Sequence, residues 1–322
     1  MYKIISSKIF MFSLHIKEKK RKYNYKYYIL TLVISLLVIL NLEDFNLISK
    51  KLLICLCAIG KKENLYAQEY IEHYKNLGYD KIFIYDNNDI NDEKFEDVLS
   101  KEISNNFVQI INFRGFKRAQ VKAYYDCYQK NSRRYDWISF FDFDEFLELK
   151  NNQSIKDFLK DIKFKKCDNI KINWVIFSDN NLVHYDNRKI QKRFSEPLFY
   201  TPINNHIKST VRGNMKINYW SIAVNPHLSK VKVISCTPSG QRILDYDSPF
   251  LTPPRYDFAY IKHYHTKTIE EYINKIKRGW YNSVIKPNNL DFKKRLNFFF
   301  SINRKTNEKL KYVNDTLNIS YI

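Results

Sequence analysis

The sequence predicts an α/β protein, a mostly parallel sheet flanked by helices, behind an N-terminal membrane anchor. Three observations carry this expectation. Apolar strand-like runs alternate with helix-periodic ones from about residue 52 to 146, the pattern of strand–helix–strand crossovers that builds parallel sheets. Paired carboxylates close the most apolar of these runs, "WISFFDFDEFLEL" at 137–149. Near the N-terminus, the sixteen-residue segment "YYILTLVISLLVILNL" (27–42) lies between a basic cluster and two acids.

Residues 1–26 form a basic tail containing Lys17, Lys19, Lys20, Arg21 and Lys22, and a positive flank of this kind predicts a cytoplasmic N-terminus. The segment 27–42 falls short of the roughly 20 residues that span a bilayer, and flanking Tyr and Lys extend it by snorkelling. No small-residue cleavage site follows, so it reads as an uncleaved signal anchor. Residues 43–50 leave only a short stem. The expected protein is single-pass, type II, with residues 51–290 as its main domain, in the Golgi of a eukaryote or the inner membrane of a bacterium.

"LLICLCAI" reads as a buried strand, "ENLYAQEYIEHYKNLG" as an amphipathic helix stopped by Gly78, and "KIFIYDNND" as a strand running into a turn. "FVQIINF" is a third strand, "RAQVKAYYDCYQKN" a helix and "WISFFDFDEF" a fourth strand. Beyond 165, "DNIKINWVIF", "KSTVRG" and "KVKVIS" are strand-like pieces among polar loops. Helical spacing returns at "TIEEYINKIKRGWYN", and 291–322 reads as a basic C-terminal helix.

The 54 Lys and Arg against 34 Asp and Glu give a formal charge of +20, which favours anionic partners: nucleic acid, phosphate-bearing ligands or a membrane surface. No helix-turn-helix, zinc-finger or RNA-recognition signature is present, so nucleic acid is not an expected partner. The cysteines, Cys55, Cys57, Cys127, Cys167 and Cys236, are odd in number and lack metal-site spacing. They read as free core thiols, with one pairing among the last three open in an oxidising lumen.

In a parallel α/β sheet, ligands bind beyond the carboxyl ends of the strands, where Asp142 and Asp144 stand. On an extended segment, residues two apart face one side. Two hard oxygen donors there suit Mg2+ or Mn2+ with positions left for water and ligand phosphates. A pair of acids that merely caps a helix or binds nearby lysines is the plainer alternative. His263 and His265 alternate in "IKHYHTK" and could both reach a ligand.

Four blocks in order, "KKENLYAQEYIEHYKNLGYDKIFIYDNND", "AQVKAYYDCY", "WISFFDFDEF" and "IKHYHTKTIEEYINKIKRGW", resemble the GT-A glycosyltransferases of family 92 and the related bacterial family-2-like group. The resemblance covers about 52 to 281. It implies a GT-A (Rossmann-like) fold and a donor that is a nucleotide-diphosphate sugar, most readily UDP-linked, with a glycan or glycoconjugate as acceptor. It further implies Glu63, Asp86 and Asn87 toward the nucleotide, Lys267 near the diphosphate, with Arg278 as further positive charge. Asp142, Asp144 and His263 become the metal ligands, with Mn2+ or Mg2+ as cofactor. The sequence departs from the family where "KKEN" replaces the usual basic residue before "NE".

The implied chemistry is metal-assisted hexose transfer, inverting, with a carboxylate to accept the acceptor proton. Asp179, in "NWVIFSDNN", and Glu196 are the first candidates for that base, and Glu145 is the remaining acid of the motif. The rivals are an inactive glycan-binding relative, a basic nucleic-acid-binding protein and an aspartate phosphohydrolase. The last also places D-x-D after a buried strand but wants a small hydroxyl residue where this chain has Phe146.

Overall fold

The structure is a computed structural model that describes residues 30–36, 51–215, 233–243, 248–279, 289–318 and 321. Residues 30–36 are helical, with exposed apolar side chains such as Leu32 and Leu36. Among the described residues no helix is long and apolar enough to cross a membrane. The remainder of the expected anchor, 27–29 and 37–42, lies outside them.

The unit from Leu52 to Ile322 begins with β1 (Ile54–Gly60), α1 (Asn64–Asn76), β2 (Lys81–Asp86), α2 (Glu96–Ser104), β3 (Val108–Asn112), α3 (Ala119–Asn131) and β4 (Trp137–Phe140). It continues with β5 (Glu145–Leu149), α4 (Ile155–Lys160), β6 (Asn169–Phe177), α5 (Ile190–Arg193), β7 (Pro197–Leu198) and β8 (Ile207–Arg212). β9 (Ser235–Cys236), β10 (Ala259–His263), α6 (Ile269–Lys277), α7 (Asn289–Ile302) and α8 (Asn307–Leu317) complete it.

The sheet runs β3-β2-β1-β4-β8-β6-β10-β5, with β7 and β9 paired to β6. The first four strands are parallel. β8 lies antiparallel to both β4 and β6, so β6, and with it β10 and β9, runs in the sense of β1. β5 and β7 join β8 against that sense. The sheet is therefore mixed in its pairing, yet most strands share one direction, and their carboxyl ends meet at one edge.

Helices cover both faces, as a strand buried on both sides requires. α1 buries Tyr66, Ala67, Tyr70, Ile71 and Tyr74, the spacing of one helical face. It ends at Gly78, whose φ of +97° suits glycine and continues past the last helical carbonyls. α3 buries Ala123, Tyr124, Cys127 and Tyr128 on the opposite face, against Cys57, Ile138 and Phe140.

Three expectations are corrected here. The run "WISFFDFDEF" is not one strand: it breaks after Phe140 and resumes at Glu145, because β4 and β5 belong to distant places in the sheet. The stretch 291–322 contains two helices, α7 and α8, separated where Thr306 caps the second by accepting from Lys309 N–H. Two cysteine pairs are bonded rather than free: Cys57–Cys127 ties β1 to α3, and Cys167–Cys236 ties the approach of β6 to β9. Cys55 stays a buried thiol. Residue spacing carries no sign of a contact between a strand and the helix packed on it.

Candidate active site

The carboxyl edge of the sheet gathers the loops after β1, β2, β4, β6 and β10, together with the start of the reversed strand β8. This places Glu63, Asp86, Asp142, Asp144, Asp179 and His263 along one margin, with Lys208 among them.

The turn between β4 and β5 is held from inside the core. Phe143 packs on Phe95 and Tyr70, with ring centroids 5.0 and 4.7 Å apart. Tyr70 Oη donates to Phe141 O at 2.9 Å and Tyr74 Oη to Glu145 O at 2.8 Å. Gly60 leaves room for this: a Cβ there would lie 2.5 Å from the Phe95 ring and 2.8 Å from Phe143. The apolar run thus anchors a turn whose carboxylates face outward from it.

Asp144 meets the C-terminal third through strand register. β5 and β10 are antiparallel with Glu145 opposite His263, and Tyr264 N–H donates to Asp144 O at 2.9 Å. Asp144 Oδ1 lies 3.5 Å from His263 Nε2, and Oδ2 lies 2.7 Å from Lys275 Nζ. His265 joins them: one ligand atom from each of Asp144, His263 and His265 falls within 4.8 Å of the others. Burial raises the Asp144 carboxyl, but Lys275 and His263 outweigh it and hold the group well below the usual carboxylate range. Burial pushes both imidazoles below their ordinary value, toward the neutral form that ligates metal.

This donor set fits a divalent ion. One carboxylate with two imidazoles suits Mn2+ better than Mg2+, which prefers oxygen. His263 Nδ1 is buried without a hydrogen-bond partner, and the Trp174 ring packs 4.2 Å from the imidazole.

Asp142 takes different partners from Asp144. Its Oδ1 accepts from Tyr124 Oη at 2.7 Å and Gln120 Nε2 at 3.2 Å, and its Oδ2 lies 2.6 Å from Lys208 Nζ. The Lys208 ammonium is also 3.2 Å from Glu145 Oε2, and both of those side chains are fully buried. Burial opposes charge at all three groups, yet Lys208 is held protonated by the two carboxylates and Asp142 is held ionised by Lys208. Burial drives the Glu145 carboxyl well above its usual range. Asp142 is the member of the triad with solvent access, 32% of its side chain.

The other expected residues fall into tight contacts. Glu63 sits at the N-cap of α1, 2.6 Å from Arg278 and 3.7 Å from Lys267. Lys267 also lies over the Tyr66 ring at 3.8 Å. Asp86 pairs with Arg114 at 2.7 Å and accepts from Asn88, while Asn87 donates to Phe113 O and Phe116 O. Nearby, an open cleft of about 570 Å3 is lined by Lys62, Asp89, Ile90, Asn91, Asp92 and Gly115. Asp179 is buried, 2.5 Å from Lys309 of α8. Glu196 is exposed and accepts from Ser178 Oγ at 3.0 Å. Glu145, 3.2 Å from Lys208, and Asp179 both have almost fully buried side chains.

Lys208 and Lys275 are cations of this margin that sequence reasoning misses. For Lys275 a signal exists: Glu271, Lys275 and Arg278 are spaced four and three apart, one stripe of α6. That stripe meets Arg193 at 2.7 Å, Asp144 at 2.7 Å and Glu63 at 2.6 Å in turn. Lys208 gives none, since a single lysine at the start of a short strand looks like any surface lysine.

Fold and site together define an α/β protein with a carboxylate–imidazole cluster and several cations at the carboxyl ends of its strands. Residues 50–295 match glycosyltransferase family 92, and the chain belongs to that family. A stretch of 111 residues is 27% identical to a family 92 protein of Oryza sativa subsp. japonica, covering 34% of this chain and 19% of that protein. A second, 106 residues long, is 24% identical to a family 92 protein of Ricinus communis, covering 33% and 19%. The match thus spans about a fifth of the length of these curated relatives, 19% in each case. Among solved structures, S. aureus TarS aligns over 82% of this chain and 48% of its own at 11% identity, with a TM-score of 0.36. TarS 1–349 in complex with UDP aligns over 82% and 78% at 10% identity, with a TM-score of 0.35.

Proposed function

We propose that the chain transfers a hexose from a nucleotide-diphosphate sugar, UDP-linked, to a hydroxyl of a glycan or glycoconjugate acceptor, with inversion at the anomeric carbon. The observation that supports this most is the meeting of Asp144, His263, His265 and Lys275 at one sheet edge in a member of glycosyltransferase family 92. Asp144, His263 and His265 would hold a divalent ion, Mn2+ before Mg2+. When bound, that ion stabilises the charge that develops on the departing diphosphate.

The chain's own groups do the rest. Lys275, with Lys267 and Arg278 near Glu63, adds fixed positive charge for the diphosphate where burial keeps electrostatic interactions strong. The Trp174 ring keeps water from one side of His263. The cleft beside Asp86 and Asn87 receives the nucleoside; Asp86 acts there through its Arg114 clamp, because both of its oxygens already have partners. Glu196 accepts the acceptor proton: it is the exposed acid, and it hydrogen-bonds Ser178, two residues beyond the strand partner of His263.

The segment 27–42 serves as an uncleaved anchor with the catalytic unit across the membrane, a placement that agrees with two disulfides, since these persist in oxidising compartments. Protease protection of the C-terminal unit in sealed vesicles checks it; complete digestion from the cytoplasmic side would refute it.

The decisive experiment incubates the full chain with a panel of sugar nucleotides and Mn2+ and measures nucleoside diphosphate release. Release that is lost in chelator, and lowered by orders of magnitude in Asp144→Asn, is the expected result. No release with any donor, or release indifferent to chelator, would overturn the reading.

A further inference from the structure

A lysine with no solvent exposure is uncommon and needs a partner. Lys208 has two carboxylates, at 2.6 and 3.2 Å. Taking such charged groups out of water is costly, and an apolar side chain of similar length would fill the same space without that cost. The triad therefore calls for a role beyond packing. Its position suggests one: it lies at the same sheet edge as the Asp144 cluster, in the arm of the acidic motif that the cluster leaves out.

The two arms are saturated to different degrees. Asp142 has an ammonium on one oxygen and two neutral donors on the other. Asp144 has an ammonium on one oxygen, while its other faces His263 at 3.5 Å, beyond normal hydrogen-bond length.

We propose that Lys208 is a resident cation that occupies the space between Asp142 and Glu145, excludes a divalent ion from it, and so divides the acidic motif into one ion-binding arm, Asp144, and one ion-free arm, Asp142. The Asp142 carboxylate, with 32% of its side chain exposed, is thereby kept free of the ion. Lys208 is a positioning residue in this scheme, acting through Asp142. The inference deepens the proposed function and rests on its assignment of the ion to Asp144, His263 and His265.

Ion counting tests it. The full-length wild-type chain and its variants are titrated with Mn2+ while free Mn2+ is followed by electron paramagnetic resonance. The wild type binds a single ion. Asp142→Asn keeps it with affinity within about threefold, whereas Asp144→Asn weakens binding by about tenfold or more, the usual scale for loss of a metal-site group. Lys208→Ala, which vacates the ammonium's space, takes up an additional ion that the Lys208→Ala/Asp142→Asn double variant does not.

A second ion in the wild type, loss of affinity in Asp142→Asn equal to that in Asp144→Asn, or no added ion in folded Lys208→Ala overturns the inference. If Lys208→Ala does not fold, the wild-type count and Asp142→Asn decide. A wild type that binds no ion refutes the metal part of the proposed function, while the gain or absence of an ion in Lys208→Ala still decides what Lys208 does.

Discussion

The Lys275 ammonium lies 2.7 Å from Asp144 Oδ2, joining α6 to the turn between β4 and β5 across 131 residues of sequence. A cation this close competes with a divalent ion for the same carboxylate and also faces the anionic ligand that such an ion would bring. Lys275→Ala should therefore weaken UDP binding by about tenfold in the presence of Mn2+, about 1.4 kcal/mol, while Mn2+ affinity without nucleotide stays equal or rises. Calorimetric titrations with and without nucleotide separate the two effects. A fall in both affinities would make Lys275 a prop for the site rather than a ligand group.

His263 and His265 lie with their ring centroids 5.0 Å apart and share the cluster with Asp144. Either His→Ala change should lower Mn2+ affinity by about ten- to a hundredfold, and far-ultraviolet circular dichroism should stay unchanged. If His265→Ala leaves affinity intact, His265 lies outside the ion's shell and the ion is held without it.

How much of this is legible in the residues follows from the range of the interactions. The "ENLYAQEYIEHYKNLG" helix and the first strands are local: helical spacing, an apolar run and a glycine at Gly78 specify them within a few neighbours. The acids at the strand end are legible for the same reason. What cannot be read is who meets them. Lys208 reaches Asp142 only because β8 inserts, reversed, between β4 and β6, and that order is a property of the whole sheet. Asp179 looks like a loop acid until α8 brings Lys309 to it. The Cys57–Cys127 bond likewise depends on how α3 lies on β1.

The disulfides offer a test of that packing. Each closes a loop of about 70 residues, with separations of 70 and 69, so removing either one should cost about 2–4 kcal/mol. Non-reducing peptide mapping should find Cys57 joined to Cys127, Cys167 joined to Cys236, and Cys55 alone alkylated after unfolding. Reduction should lower Tm. Alkylation of all five cysteines without a reductant would contradict the pairing.

His73 supplies a pH dependence. Its ring bonds Leu147 O at 2.9 Å, and burial pushes its pKa from 6.5 down to about 4. The unfolded chain then binds the extra proton between these values, so the contribution is full above about pH 6.5 and is lost as pH falls toward 4. The unfolding free energy from urea titrations should drop across that window by about 3 kcal/mol, and His73→Gln should flatten the drop. An equal slope in the variant would assign the effect to other groups.

The centre is assembled from both ends of the unit: Asp144 comes from the turn after β4, while His263, His265 and Lys275 arrive only with β10 and α6. During synthesis the N-terminal part emerges first and can fold before the rest exists. A nascent chain shortened before β10 could pair its first four strands and still carry no ion cluster, with the Asp144 charge unmatched. Under the proposed function, a chain arrested or clipped before β10 would keep the strands beside the nucleoside cleft and lack the ion cluster, so the two halves of donor recognition would be made at different times.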